Sequence, residues 1–495
     1  MPSPLPKLNT AALNIQPNTR PERILQFGEG AFLRGFVDWM VHQLNKQGLF
    51  DGSVVVVQPL ANGLVDALNA QDGLFTHILR GVVDGKLVEE TEVIGSIRRG
   101  INPFADFEAF LATARNPDLR FIVSNTTEAG IACHPDDRID AKPPVSFPGK
   151  LTRLLLERYQ AFGGSAESGL VILPCELIEF NGTNLRRCVL ETAAKWQLDA
   201  AVISWIENHV VFCNTLVDRI VTGYPREEAA EICARLGYED TLLNTSEVFH
   251  AWVIEGPASL AKELPLDKAG LNVIFTPDYK PYRDRKVRIL NGAHTSTVLA
   301  AFLAGHDLVK ECLDDPAFAS FLRDALNDEI IPTLDLPRSD LDAFAAAVLE
   351  RFANPFVKHP LLSISLNSTS KFTARVLPSL LTYLDRRGEL PQRLVFSLAA
   401  LIAFYRGTEI TDGALIGSRA KDGAYQIKDS PDVLEFFRDV WTRPGISAES
   451  VAKAVLGHTA LWNGKDLNDV PGLTNAVAAD LGNILSKGAK AALPG

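Results

Sequence analysis

An apolar run ending in two glycines, then a helix, then a second apolar run constrains this chain more than any other feature. Arg23-Ile-Leu-Gln-Phe27 reads as a buried strand that passes directly into Gly28-Glu-Gly30. Phe32, Leu33, Phe36, Val37, Met40, Val41 and Leu44 then recur with helical spacing, and Ser53-Val-Val-Val-Val-Gln58 is again a strand. Strand, glycine turn, helix and strand make a βαβ unit, and its right-handed crossover leaves the helix N-terminus aimed at the glycine turn. Unpaired N–H groups and partial positive charge there suit a pyrophosphate, with Gly28 permitting the tight turn and Gly30 letting the backbone come close. The Gly-x-Gly-x-x-Gly fingerprint is incomplete, because Leu33 takes the third place and Gly35 arrives two residues late. A purely structural glycine turn is the competing reading.

The second strand ends in Gln58, where an Asp or Glu usually holds the adenine ribose, and no Arg or Lys follows closely to invite the extra phosphate of NADP. NAD is therefore the expected cofactor, with Phe27, Gly28, Gly30, Ala31, Phe32, Gln58, Asn125 and Thr127 as its expected contacts.

A chain of 495 residues is too long for one ordinary core, and two domains are expected, residues 1–276 and 277–495. A net charge of -11 gives no electrostatic reason to expect nucleic acid or an anionic membrane as a partner. An anionic small molecule would need a local cluster of Lys and Arg. The six cysteines form no C-x-x-C pair, which predicts reduced, mostly buried thiols with neither a disulfide framework nor a cysteine-rich zinc site. The stretch from Met1 to Pro21 lacks the apolar core of a signal peptide, and the longest apolar run, Leu394 to Tyr405, is too short for a bilayer, so a cytoplasmic monomer or small homo-oligomer is expected.

Two extended runs between Thr76 and Ile97 flank Asp84-Gly85, a hairpin signal, and read as an insertion in the nucleotide domain. Leu119 to Asn125 is a further apolar strand ending in the polar loop Thr126 to Gly130, which is expected at the nicotinamide side, with a Thr-capped turn as the alternative. Leu170 to Pro174 is another buried strand and delivers Asn181 to the same sheet edge. Asp218 next to Arg219 reads either as half of a structural ion pair or as a pocket carboxylate. Leu260 to Tyr282, with three prolines, reads as the passage between domains, and the rest is helical, broken by Pro316, Pro332, Pro337, Pro355, Pro360 and Pro378 around a central helix at Leu394 to Tyr405.

The stretch Lys286-Val-Arg-Ile-Leu-Asn-Gly-Ala-His294 lies on a helix marked by Ile289, Leu290, Val298, Leu299 and Phe302 and stopped at Gly305. At about 100° per residue, Lys286, Asn291 and His294 fall within an arc of roughly 140°. An amine that carries a proton, an amide that holds an oxygen and an imidazole that orients either one form a kit for carbonyl and alcohol chemistry. A solvated basic helix end is the competing reading.

Lys286-x4-Asn291-x2-His294 together with Gly28-x-Gly30 resembles the mannitol dehydrogenase, or polyol-specific long-chain dehydrogenase, family, and the likeness covers most of the chain. The stretches Ile24 to Gly30, Phe32 to Trp39, Ser124 to Gly130 and Leu394 to Gly407 look most like the branch of it that acts on keto-hexuronates. The resemblance implies an α/β N-terminal Rossmann-type domain with a mainly parallel sheet, a mostly α-helical C-terminal domain, and an NAD-dependent, metal-independent enzyme interconverting a keto-uronate and its aldonate. It makes Lys286 the acid/base, gives the reacting oxygen to Asn181 and Asn291, lets His294 position substrate, and lines the pocket with Asp218 and Lys371. Ser363 stands where polyol-oxidising relatives carry an Arg, which speaks against a neutral polyol, and Lys371 and Arg375 lie just downstream to meet a carboxylate. A fructuronate-type or neutral-polyol dehydrogenase of the same family remains an alternative, as does a dinucleotide-binding sensor without turnover.

Overall fold

The computed structural model describes residues 5–83, 85–127, 129–421 and 423–494. The chain forms two compact units, Met1–Tyr279 and Lys280–Gly495.

The first unit is built on a six-stranded sheet of β1 (Glu22–Phe27), β2 (Ser53–Val57), β3 (Ile97–Ile101), β4 (Phe121–Ser124), β5 (Val171–Pro174) and β6 (Val211–Phe212). Its order is β3-β2-β1-β4-β5-β6, and every neighbouring pair is parallel. This is the doubly wound Rossmann order, whose direction of winding reverses between β1 and β4 and leaves a crevice at their carboxyl ends. Both faces are covered. Ile24, Val54 and Val56 pack with Phe36, Met40 and Leu44 on one side, and Leu25, Phe27, Val55 and Val57 with Phe110, Leu151 and Leu155 on the other. That double burial is why these strands read as unbroken apolar runs.

The helix after the glycine turn is continuous over three segments, Ala31–Leu33, a π-helical Arg34–Asp38, and Trp39–Lys46. The expected hairpin is present as Phe75–Val83 against Lys86–Ile94, with Gly85 at φ +73°, while Asp84 of that turn lies outside the described residues. It belongs to a four-stranded sheet with Asn244–Glu247 and Val221–Gly223. Within the stretch read as a passage between domains, Val273–Thr276 pairs in parallel with Ala251–Glu255, which in turn pairs with Asn214–Asp218. Pairing partners so distant in sequence left no local pattern to read.

The second unit is mostly helical. Its apolar centre is the helix Gln392–Phe404, in which every residue from Leu394 to Phe404 is buried. Pro316, Pro332 and Pro378 stand in the first two positions of their helices, and Pro337 and Pro360 immediately before theirs, so the prolines that break the pattern also start the elements. Gly407–Thr411, Ala414–Arg419 and Gly423–Ile427 form a three-stranded antiparallel sheet where only helices are expected. Its first turn, Asp412-Gly413 with both φ values positive, is a hairpin signal that was present in the sequence. Among the described residues, no helix is long and apolar enough to cross a membrane.

Candidate active site

In the first unit the expected dinucleotide contacts gather at the carboxyl ends of β1, β2 and β4. Gly28 sits at φ +123°, a conformation that side chains resist, and a Cβ there would come within 3.2 Å of the Asn125 carbonyl oxygen and of Leu33. Its N–H donates to the Val57 carbonyl at 3.0 Å, fixing the turn across β1 and β2. Gly30 differs: nothing lies within 4 Å of where its Cβ would stand. It caps the helix that starts at Ala31, whose carbonyl accepts from Asn244, and Phe32 stacks on Phe36. An open backbone cradle at a helix N-terminus fits a pyrophosphate.

Gln58 is buried at the end of β2, with its amide nitrogen donating to the carbonyls of Leu60 and Ala61 and its amide oxygen accepting from the Val65 N–H. The side chain thus shapes the loop that follows β2. Asn125 donates its amide to the Cys175 carbonyl at 2.7 Å, while Thr127 is exposed and holds φ +102°. The turn around it hangs on Glu176, one of whose oxygens accepts from both the N–H and the hydroxyl of Thr126 while the other accepts from Ser124. Burial raises the Glu176 carboxyl, and these hydrogen bonds oppose the shift. Glu176 is not among the residues expected at the site, and its place directly after the Leu170 to Cys175 apolar run is the one sequence signal for it. Glu128 of the same loop lies outside the described residues.

Asn181 opens the helix Asn181–Lys195 and is 1 % exposed. Its amide nitrogen donates to the carbonyls of Pro174, Glu176 and Thr215, and its amide oxygen accepts from the N–H groups of Gly182 and Thr215. Every polar position on the side chain is engaged by the chain itself, which fits a girder between β5 and the strand Asn214–Asp218 better than a hand on a substrate oxygen. Asp218 ends that strand and is buried. Its neighbour Arg219 is structural: the guanidinium donates to the Glu247 and Gly35 carbonyls and lies 4.2 Å from the Trp39 ring.

In the second unit, Lys286 and Asn291 are the first and last residues of a π-helical turn, Lys286–Asn291, set between the helices Lys280–Arg285 and Gly292–Leu303. The Gly292 N–H reaches back to Val287, five residues away. This corrects the regular-helix geometry assumed above. A π-turn lines up residues five apart, so Lys286 and Asn291 share a face more closely than a regular helix allows. Asn291 is half-buried, and its amide meets no hydrogen-bond partner among the described residues. One turn on, the His294 ring stacks on Phe352 at 4.1 Å and meets His359 edge-on at 5.2 Å, and its Nε2 is buried without a hydrogen-bond partner among those residues. Burial holds His294 well below its usual range, and the charges of His359, Arg351, Arg375 and Lys371 push the same way, so the imidazole is neutral.

The helix Ser368–Arg375 carries Lys371 and Arg375 against this segment, with the Arg375 carbonyl 3.3 Å from where a Gly292 Cβ would stand. Lys371 Nζ donates to the Ile364 carbonyl at 2.9 Å. Ser363 is exposed, donates its hydroxyl to the Pro360 carbonyl, and opens onto a cavity of about 470 Å³ with Leu362, Leu366 and Lys428. Arg351 and His359 entered the site without any local sequence signal. Among the described residues, no three His, Cys, Asp or Glu side chains are grouped to hold a metal ion.

A Rossmann unit with an open glycine cradle and a Lys-Asn-His helix in a second, helical unit define a dehydrogenase acting on a CH–OH group. Residues 22–268 match the mannitol dehydrogenase Rossmann domain and residues 278–485 the mannitol dehydrogenase C-terminal domain, and the chain belongs to this family. It is 50% identical over 477 residues to the altronate oxidoreductase of Klebsiella pneumoniae (strain 342), covering 96% of each chain. Two solved structures share the fold: D-sorbitol dehydrogenase in substrate-free form, with a TM-score of 0.82, 23% identity and coverage of 99% of this chain and 100% of that one, and the mannitol 2-dehydrogenase of Pseudomonas fluorescens, solved as a ternary complex with NAD and D-mannitol, with a TM-score of 0.67, 23% identity and 98% coverage of each.

Proposed function

We propose that this enzyme reduces the keto-hexuronate tagaturonate to the aldonate altronate with NADH and runs the reverse oxidation with NAD. The observation that carries the anionic substrate is the group of cationic side chains around the neutral His294, with Lys371, Arg375 and Arg351 all acting on it. A site so arranged, in a chain of net charge -11, disfavours a ligand without negative charge. Relatives at 50% identity bear the name altronate oxidoreductase, which contains the aldonate of this pair.

The bound dinucleotide would supply the hydride in reduction and accept it in oxidation. Phe27, Gly28, Gly30, Ala31 and Phe32 would hold its pyrophosphate side, Gln58 the wall of its ribose side, and Asn125 and Thr127 the nicotinamide side. Lys286 gives a proton from Nζ to the carbonyl oxygen as the carbon is reduced; in oxidation the neutral amine takes the hydroxyl proton. Asn291, whose amide is uncommitted, donates to the oxygen as negative charge develops, and His294 offers Nε2 to a substrate hydroxyl. Asp218 in the first unit and Lys371 in the second are each candidate substrate contacts, and Asn181 acts here as a positioning residue that fixes the end of β5.

A panel of keto-uronates and neutral ketoses, each assayed with NADH and NADPH, tests the reading. The expected result is NADH-linked reduction of tagaturonate with a kcat/KM at least roughly 100-fold above that for fructose or tagatose, as a charge-assisted contact would give. Equal rates on neutral ketoses, or no turnover of any uronate, would overturn it.

A further inference from the structure

Resting on that reading, we propose that Arg375 is the residue that receives the substrate carboxylate and so sets the preference for uronates over neutral ketoses. Of the cations facing His294, it is the one whose side chain is half-buried yet makes no hydrogen bond or ion pair among the described residues. Lys371, one turn earlier on the same helix, already donates to the Ile364 carbonyl. The anion that acts on Lys371, Asp429, is itself held by the hydroxyls of Thr369 and Tyr405. His359 is partly buried beside the His294 ring, and burial lowers it.

Position supports the assignment. The Arg375 carbonyl oxygen lies 3.3 Å from where a Gly292 Cβ would stand, so its helix packs on the segment proposed to carry the acid/base and the oxygen-holding amide, and the charge of its guanidinium reaches His294 on the same segment. Removing a guanidinium from water without an anion is unfavourable, and burial accordingly draws this group below its ordinary range. A planar fork of donors matches a carboxylate in two parallel bonds, which an ammonium cannot do. The remote end of a hexuronate would then be anchored while its carbonyl lies toward Lys286.

The test is the ratio of kcat/KM for tagaturonate to that for a neutral ketose, measured with NADH in the full-length enzyme carrying Arg375→Gln, Arg375→Lys and, for comparison, Lys371→Met. The wild-type ratio comes first, because a ratio near one there rejects the uronate reading itself rather than the role of Arg375. Given a wild-type preference, Arg375→Gln is expected to lower the ratio roughly 100-fold, mostly through KM, and Arg375→Lys to lower it less, since charge remains but the fork is lost. Lys371→Met is expected to lower the ratio less than Arg375→Gln. A preference that survives Arg375→Gln, or equal proportional losses on both substrates, would overturn the assignment. If Arg375→Gln fails to fold, Arg375→Lys decides: an undiminished ratio rejects the two-bond contact.

Discussion

Lys286 and Asp38 sit in very different settings. Lys286 opens the π-turn beside Asn291, and Lys286→Ala should lose on the order of 10² to 10⁴ in kcat while NADH still binds, as a positioned acid/base would. Steady-state rates and fluorescence titration of NADH separate the two effects. Asp38 lies under the glycine turn, wholly buried; Gln26 links the two by donating to Asp38 and to the Gly28 carbonyl. Burial lifts its carboxyl from the ordinary 3.8 to about 7, against the pull of the Gln26 bond and of Arg34. The folded state therefore binds a proton that the unfolded state releases above about pH 4, so this group stabilises fully below that pH and loses its contribution as pH rises towards 7. Urea unfolding between pH 5 and 8 should show Asp38→Asn with a flatter fall in stability than the parent chain. An identical slope would mean that Asp38 is ionised throughout.

Two elements separate binding from folding. Because Gly30 faces open space in an ordinary backbone conformation, Gly30→Val should leave the melting temperature nearly unchanged yet weaken NADH binding by at least tenfold, by occupying the cradle. Parallel thermal and NADH titrations check this, and a variant that binds normally would remove the cradle from the cofactor site. The helix opened by Asn181 makes the opposite case. Asn181→Ala removes a side chain that ties Pro174, Glu176, Gly182 and Thr215, and it should destabilise by about 2–4 kcal/mol in urea unfolding. A loss of kcat without loss of stability would return Asn181 to the substrate. The parallel strands, the glycine turn and the central helix Gln392–Phe404 were legible because their patterns are local and their faces are fully buried. The engagement of the Asn181 amide was not, since Thr215 lies 34 residues away and nothing near Asn181 announces it. The π-turn at Lys286 also escaped the reading, because a surplus residue in a helix leaves the apolar spacing almost intact.

The whole chain divides its tasks between two units, a parallel-sheet body with the glycine cradle and a helical body with the Lys-Asn-His segment. Length and composition were enough to anticipate two cores, and the spacing of Lys286, Asn291 and His294 was enough to single out a segment that the structure folds into one π-turn and the helix after it. The group of cations around His294 was half legible: Lys371 and Arg375 sit together in sequence, whereas Arg351 and His359 join them only through packing. Ligand binding to a folded unit raises its stability by mass action, about 2.7 kcal/mol at a ligand concentration of 100 Kd. NADH should therefore raise the temperature at which the intact chain melts, and NADPH at equal concentration should do so clearly less, since no Arg or Lys follows Gln58 closely to meet a ribose phosphate. Equal shifts would place an anion-binding group near Gln58 that the loop from Leu60 to Val65 does not display.

The helix from Lys280 to Leu303 is out of phase with itself. Its two halves are joined by a turn that holds one residue more than regular coiling would. Deleting any single residue between Val287 and Leu290 would give an unbroken α-helix of good hydrogen-bonding geometry and rotate Lys286 out of line with the Asn291 amide. Point substitution cannot reproduce or repair that change, so the phase of this helix is a heritable element of the site that acts through length rather than side-chain identity. Among relatives, insertions and deletions in this short segment should be tolerated less than in any surface loop of the helical unit, even where every side chain around it has changed.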